Sequence, residues 1–122
     1  MSKKHVQLSW QNDTVPISNK FEDSYYSLEN GLHEANYVFI DGNSLQKRLS
    51  HGFQIAELGF GTGLNFLATC AAWNKASKTG KFNFISFEGY PISNSDLRKA
   101  NLLFPELSEY AETVSYTHLR AH

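Results

Sequence analysis

Glu57-Leu58-Gly59-Phe60-Gly61-Thr62-Gly63 is the stretch that decides the fold of this chain of 122 residues. Before it, Phe53-Gln54-Ile55-Ala56-Glu57-Leu58 reads as a strand. No regular element persists through glycines at 59, 61 and 63, so a turn is predicted there. A helix is predicted from Leu64 to about Trp73. Leu64, Leu67, Ala68 and Ala71 share one face, and Phe66, Cys70 and Trp73 widen it. A helix this apolar packs against a sheet. Asn74 to Lys81 is a polar loop, and Phe82-Asn83-Phe84-Ile85-Ser86-Phe87 reads as a second strand ending at Glu88-Gly89. Ser93 with Asp96 three residues on forms a capping box with Asp in place of Glu. The helix it opens carries Leu97, Ala100 and Leu103/Phe104 and stops at Pro105, where a further short helix to Tyr110 is predicted. Strand, glycine turn, helix, strand, helix is the opening of a doubly wound α/β sheet.

On the amino-terminal side the pattern changes. Val6-Gln7-Leu8-Ser9-Trp10 alternates apolar and polar, as a half-buried strand does. Asn12-Asp13 reads as a turn, and Val15-Pro16-Ile17 as a returning strand that its proline demotes to an edge. Between Ser24 and Ile40, Leu32, Ala35 and Val38/Phe39 fall at helical spacing, which predicts a helix ending near Asp41-Gly42. Asn43-Ser44 is expected to cap a short helix carrying Leu45 and Leu49.

Composition sets the outer limits. The net charge is −1, with 11 Lys+Arg against 12 Asp+Glu, which argues against binding nucleic acid by broad charge neutralisation and leaves room for a local patch. A single cysteine, Cys70, excludes an internal disulfide framework and a cysteine-based zinc site. It is expected to be a core residue rather than a nucleophile. His5, His33, His51, His118 and His122 show no metal-ligand spacing, so no metal site is expected. No apolar run approaches a membrane span and no apolar segment follows Met1-Ser2-Lys3-Lys4-His5, so a cytoplasmic location is expected. Lys3-Lys4 and Lys75, Lys78 and Lys81 read as solvated surface.

Bare backbone next to a helix start suits a ligand. A dinucleotide loop, G-x-G-x-x-G, would need a third glycine where Leu64 stands, and the P-loop pattern is absent. What remains is acid-x-G-x-G-x-G, which resembles the first motif of class I S-adenosylmethionine-dependent methyltransferases. S-adenosylmethionine carries a sulfonium and an ammonium and no phosphate. A carboxylate at the first strand's end, Glu57, suits such a cation and would repel a pyrophosphate. A carboxylate at the second strand's end, Glu88, can accept hydrogen bonds from ribose hydroxyls. Its distance from Gly59 exceeds the usual spacing of ~20 residues, and the polar loop absorbs the surplus. Candidate cofactor-binding residues are therefore Glu57, Gly59, Phe60, Gly61, Thr62, Gly63, Asn65 and Glu88. Asn65 could bond the cofactor's carboxylate or cap the loop.

Three segments narrow the resemblance: Phe21-Glu22-Asp23-Ser24-Tyr25-Tyr26-Ser27 with Asn30-Gly31-Leu32-His33-Glu34; Tyr37-Val38-Phe39-Ile40-Asp41-Gly42-Asn43-Ser44-Leu45; and Glu57 through Gly63 continued by Leu64-Asn65-Phe66-Leu67. With Phe84-Ile85-Ser86-Phe87-Glu88 and Pro91 they resemble the amino-terminal methyltransferase domain of the MnmC family, bacterial enzymes that modify the wobble uridine of tRNA. The resemblance runs from residue 5 to about 113. It implies a Rossmann-like α/β fold, represented here by the first half of its sheet with an N-terminal hairpin and helical extension over 1–50 and a partial S-adenosylmethionine-binding unit over 51–113. It implies methyl transfer from S-adenosylmethionine to the aminomethyl nitrogen of 5-aminomethyl-2-thiouridine in tRNA. It also implies an FAD-dependent oxidoreductase domain in two-domain members, and a place in the cofactor pocket for Tyr25 and Tyr26, which could otherwise be core aromatics. An acidic motif that meets the acceptor amine in the family has no counterpart here, which predicts no turnover for the chain by itself, and two parallel strands with their helices cannot cover both faces of a sheet, which predicts marginal stability. Residues 114–122 depart from the family and resemble translated adapter sequence, so a non-native tail is expected. The competing expectation is a non-catalytic α/β nucleotide-binding module.

Overall fold

The structure, a computed structural model, describes residues 5, 7–12, 15–25, 31–76, 79–107 and 109–110. Val6, Asp13, Tyr26 and the 114–122 tail lie outside the described residues. The chain opens with strands β1 (Leu8–Gln11), β2 (Val15–Ser18) and β3 (Asp23–Ser24), which form an antiparallel sheet in the order β1-β2-β3. Leu8 and Trp10 are half-buried and alternate with exposed Ser9 and Gln11, as their period-2 pattern requires. The proline strand β2 is central, not at an edge. Its two neighbours accommodate Pro16 differently. Trp10 lies opposite it on β1, whereas β3 pairs only with Ile17 and Ser18, past the proline. The carbonyl that Pro16 retains accepts from the Tyr25 amide at 3.1 Å.

The predicted helix over 24–40 is shorter and wound differently. Ser24 belongs to β3; helix α1 spans Gly31–Glu34 and continues as a π-helix over Ala35–Asp41. The Gly42 amide donates to the Tyr37 carbonyl, five residues back. The wider turn brings Ala35 and Ile40, five apart, to the core and leaves Val38 66% exposed. Asn43 does not cap the next helix: its Nδ2 donates to the Phe39 carbonyl at 2.8 Å, closing the π-helix instead. Helix α2 (Leu45–Arg48) follows, with Ser44 at its N-cap position in a left-handed conformation that makes no side-chain cap. Leu45 and Leu49 are buried, as their spacing predicts.

The decisive stretch folds as the glycines require. Strand β4 (Gln54–Leu58) pairs in parallel with β5 (Asn83–Phe87), with Glu57 beside Ser86 and Leu58 beside Phe87. Helix α3 (Leu64–Lys75) connects them after the turn. Its Phe66 meets Phe84 edge-on at 5.2 Å between centroids, and Trp73 lies 5.1 Å from Phe82. Ile55 and Glu57 of β4 turn inward, whereas Leu58 is 89% exposed. Helix α4 (Asn94–Leu102) starts at Ser93, whose hydroxyl accepts from the Asp96 amide. The reciprocal arm differs from a standard capping box, because the shorter Asp96 carboxylate accepts from the Ser93 hydroxyl itself. A 3₁₀ turn over Pro105–Leu107 replaces the start of the further helix predicted there. One core joins both halves of the chain: Ala35, Ile40, Leu45 and Leu49 pack with Ile55, Leu64, Leu67, Ile92, Leu97 and Leu107. The architecture is thus mixed α/β, a two-stranded parallel sheet with an amino-terminal antiparallel sheet.

Candidate functional site

All three glycines of the turn have positive φ: Gly59 at 84°, Gly61 at 57° and Gly63 at 83°. Residues with a Cβ are strained there, and alternation of such positions lets the chain reverse from β4 into α3 within a few residues. The turn is fixed at both ends. The Gly59 amide donates to the Phe87 carbonyl at 2.8 Å and the Gly63 amide to the Phe60 carbonyl at 3.0 Å. Between them, the Gly61 amide donates to Glu88 Oε1 at 2.9 Å. The other oxygen of Glu88 accepts from the Tyr90 amide at 3.0 Å. The carboxylate at the end of β5 therefore clips the glycine turn to its own strand end.

A cleft of about 550 Å³ opens on this turn. Gly59, Phe60, Gly61, Thr62, Leu64, Asn65 and Glu88 form one side. Tyr25, Gly31 and the helical segment carrying Glu34, Ala35, Val38, Phe39 and Asn43 form the other. Tyr25 stands against the turn, and a Cβ at Gly61 would lie 3.4 Å from its Cδ1. Burial and the neighbouring Glu88 charge push the Tyr25 phenol up, and a hydrogen bond with Ser18 opposes them. A smaller cavity of about 320 Å³ lies behind Tyr25 and Glu88, with Phe21 and Tyr90 in its wall.

Of the residues singled out in the sequence, Gly59, Phe60, Gly61, Thr62, Asn65 and Glu88 line the cleft. Gly63 is buried at the helix start and Tyr26 lies outside the described residues. Glu57 is only 7% exposed and is not part of the cleft wall. Asn65 Nδ2 donates to its Oε2 at 3.1 Å and Ser86 Oγ to its Oε1 at 2.9 Å. Burial pushes the Glu57 carboxyl up; the Asn65 and Ser86 hydrogen bonds oppose this, and the Glu88 charge adds to it. Ser86 escaped the sequence reading as a site residue, although a serine sharing the inward face of its strand with Phe84 was its signal. The helical wall escaped it too, because a π-turn has no signature in apolar spacing. Elsewhere, burial raises the Cys70 thiol to about 11, which leaves it unreactive. Among the described residues no cluster could hold a metal, and no helix is long and apolar enough to cross a membrane.

No protein-family model matches the chain. Three relatives share the description "tRNA 5-methylaminomethyl-2-thiouridine biosynthesis bifunctional protein MnmC". The one from Aeromonas hydrophila is 46% identical over 119 residues, 91% of this chain and 18% of the relative. That from Leptospira borgpetersenii is 47% identical over 110 residues, 86% of this chain and 17% of the relative. That from Vibrio cholerae is 45% identical over 121 residues, 91% of this chain and 18% of the relative. Among solved structures, MNMC2 from Aquifex aeolicus superposes with a TM-score of 0.59 at 21% identity, covering 75% of this chain and 32% of that one. That likeness concerns the fold. The chain spans less than a fifth of the length of the relatives it matches. The family resemblance carried by the tyrosine-rich segment and the glycine turn thus holds along almost the whole chain, which is similar to one segment of the bifunctional MnmC proteins.

Proposed function

We propose that this chain is the methyl-donor-binding part of an S-adenosylmethionine-dependent methyltransferase that acts on the wobble uridine of tRNA. The observation that carries the reading is the cleft itself: bare backbone at Gly59 and Gly61 beside the Glu88 carboxylate, with a second carboxylate, Glu57, behind the wall. These residues fit S-adenosylmethionine. The Gly59 backbone admits close approach, since nothing lies within 4 Å of a Cβ built there. Glu88 keeps lone pairs beyond those used by Gly61 and Tyr90, enough to accept from vicinal ribose hydroxyls. Two carboxylates make the cleft attractive to a sulfonium and hostile to a pyrophosphate. The bound donor supplies an electrophilic methyl group for in-line attack by a neutral amine. The chain's own contribution is to orient the donor and exclude water around it. Residues 1–50 act as an extension that closes the cleft through its helical segment, and 51–113 as the donor-binding unit of a Rossmann-like domain. The relatives' printed names supply the tRNA substrate class, and their greater length leaves room for acceptor contacts and for an FAD-dependent domain.

Calorimetric titration of the chain with S-adenosylmethionine, S-adenosylhomocysteine and NAD tests the reading. The two sulfur ligands are expected to bind and NAD is not. A preference for NAD overturns the proposal in favour of a nucleotide-binding module. Methyl transfer to tRNA bearing 5-aminomethyl-2-thiouridine is expected from full-length relatives of the bifunctional kind.

A further inference from the structure

The sequence places Glu57 where a cationic ligand would meet it, and the structure does not leave it there. Glu57 lies behind the cleft wall with each oxygen already bonded, one to Asn65 and one to Ser86. Asn65, on the first turn of α3, does line the cleft. Its amide is oriented by chemistry: Nδ2 faces the Glu57 carboxylate, because the flipped amide would set oxygen against oxygen. The carbonyl oxygen Oδ1 therefore points away from Glu57, and among the described residues it accepts no hydrogen bond.

We propose that Asn65 Oδ1, held by Glu57 and Ser86, is the acceptor that meets the donor's ammonium group. An amide oxygen in this position is a pure acceptor whose dipole is strengthened by the carboxylate bonded to its nitrogen. It suits an ammonium and not a carboxylate, which the Glu57 charge 3.1 Å from Nδ2 would repel. Glu57 and Ser86 are then positioning residues: they act through Asn65 and do not touch the ligand. This inference rests on the donor-binding reading above and assigns the contact within it.

Three probes that differ only in the amino-acid arm provide the test: S-adenosylhomocysteine, its decarboxylated analogue and 5′-methylthioadenosine, which lacks the arm. For Asn65→Ala, the dissociation constants of the first two are expected to rise roughly 10- to 100-fold, the effect of losing one hydrogen bond to a charged group. That of 5′-methylthioadenosine is expected to stay within about twofold, which also shows that the variant is folded. For Ser86→Ala the same split is expected at roughly 2- to 10-fold, the effect of a neutral hydrogen bond. Equal weakening of all three probes overturns the proposal, since a merely structural Asn65 would shape the whole cleft. So does unchanged binding, or a loss confined to the probe that carries a carboxylate. If the unsubstituted chain binds none of the probes, the donor-binding reading fails and this assignment with it. Binding by the unsubstituted chain with no effect of Asn65→Ala removes the assignment alone.

Discussion

Gly61 and Glu57 show what single positions contribute. At φ 57° an alanine in place of Gly61 pays the left-handed backbone penalty, while its Cβ would meet Tyr25 at ordinary contact distance. Gly61→Ala is expected to destabilise by about 1–2 kcal/mol, measurable by urea unfolding. Glu57 gives a pH signature. Its folded-state carboxyl is raised above the usual carboxylate value, so between the unfolded and folded values the native state binds the extra proton. The stability it confers is present below the unfolded value and is lost as pH rises through the folded one. Glu57→Gln cannot titrate, so its melting temperature should fall less than that of the parent as pH rises from about 4.5 through the folded-state value. An equal fall in both proteins contradicts the assignment. Asn101 is 1% exposed on α4, and among the described residues neither its Nδ2 nor its Oδ1 finds a partner. Asn101→Leu keeps the branched outline and removes the unpaired amide, but its two methyl groups add bulk, so the gain in the same unfolding assay is expected to stay below the ~1–3 kcal/mol that an unpaired buried amide costs.

Among the elements, α4 and the α1–π-helix segment mark the two extremes of legibility. Helix α4 begins at Ser93 and ends before Pro105 as its sequence dictates, because cap and breaker are local chemistry. Ser93→Ala removes the hydroxyl that accepts from Asp96 and is expected to cost about 1 kcal/mol. Strand β4, α3 and β5 were equally legible, since an apolar strand, three glycines and an apolar helix agree with one another. The segment from Gly31 to Asp41 was legible as helix but not in its winding. Ala35 and Ile40 pack inward through a wider turn that apolar spacing alone cannot distinguish from an ordinary one. The place of β2 was misjudged because Pro16 argues for an edge, and only the shortness of β3 lets a central strand tolerate it. At the site, the glycines and Glu88 were readable from spacing. The retreat of Glu57 behind Asn65 was not, since it depends on Ser86, a residue of the neighbouring strand brought close only by parallel pairing.

At the scale of the whole molecule, the described residues cover the parallel sheet on one face only. Leu58, Ile85 and Phe87 are 89%, 51% and 48% exposed on the other. Parallel sheets are ordinarily buried on both faces, so this surface leaves apolar area in water. The chain is expected to bind the dye ANS while folded. Leu58→Glu with Ile85→Lys should reduce that binding and change the unfolding free energy by no more than about 0.5 kcal/mol per site. The Glu88 clip works at this scale as well. One carboxylate secures an amide in the glycine turn and an amide beyond the end of β5. Both amides are thus guarded from exchange with deuterated solvent by one side chain. Opening of the turn and fraying of the strand end share that side chain, and a ligand that settles on it is expected to slow both exchanges together.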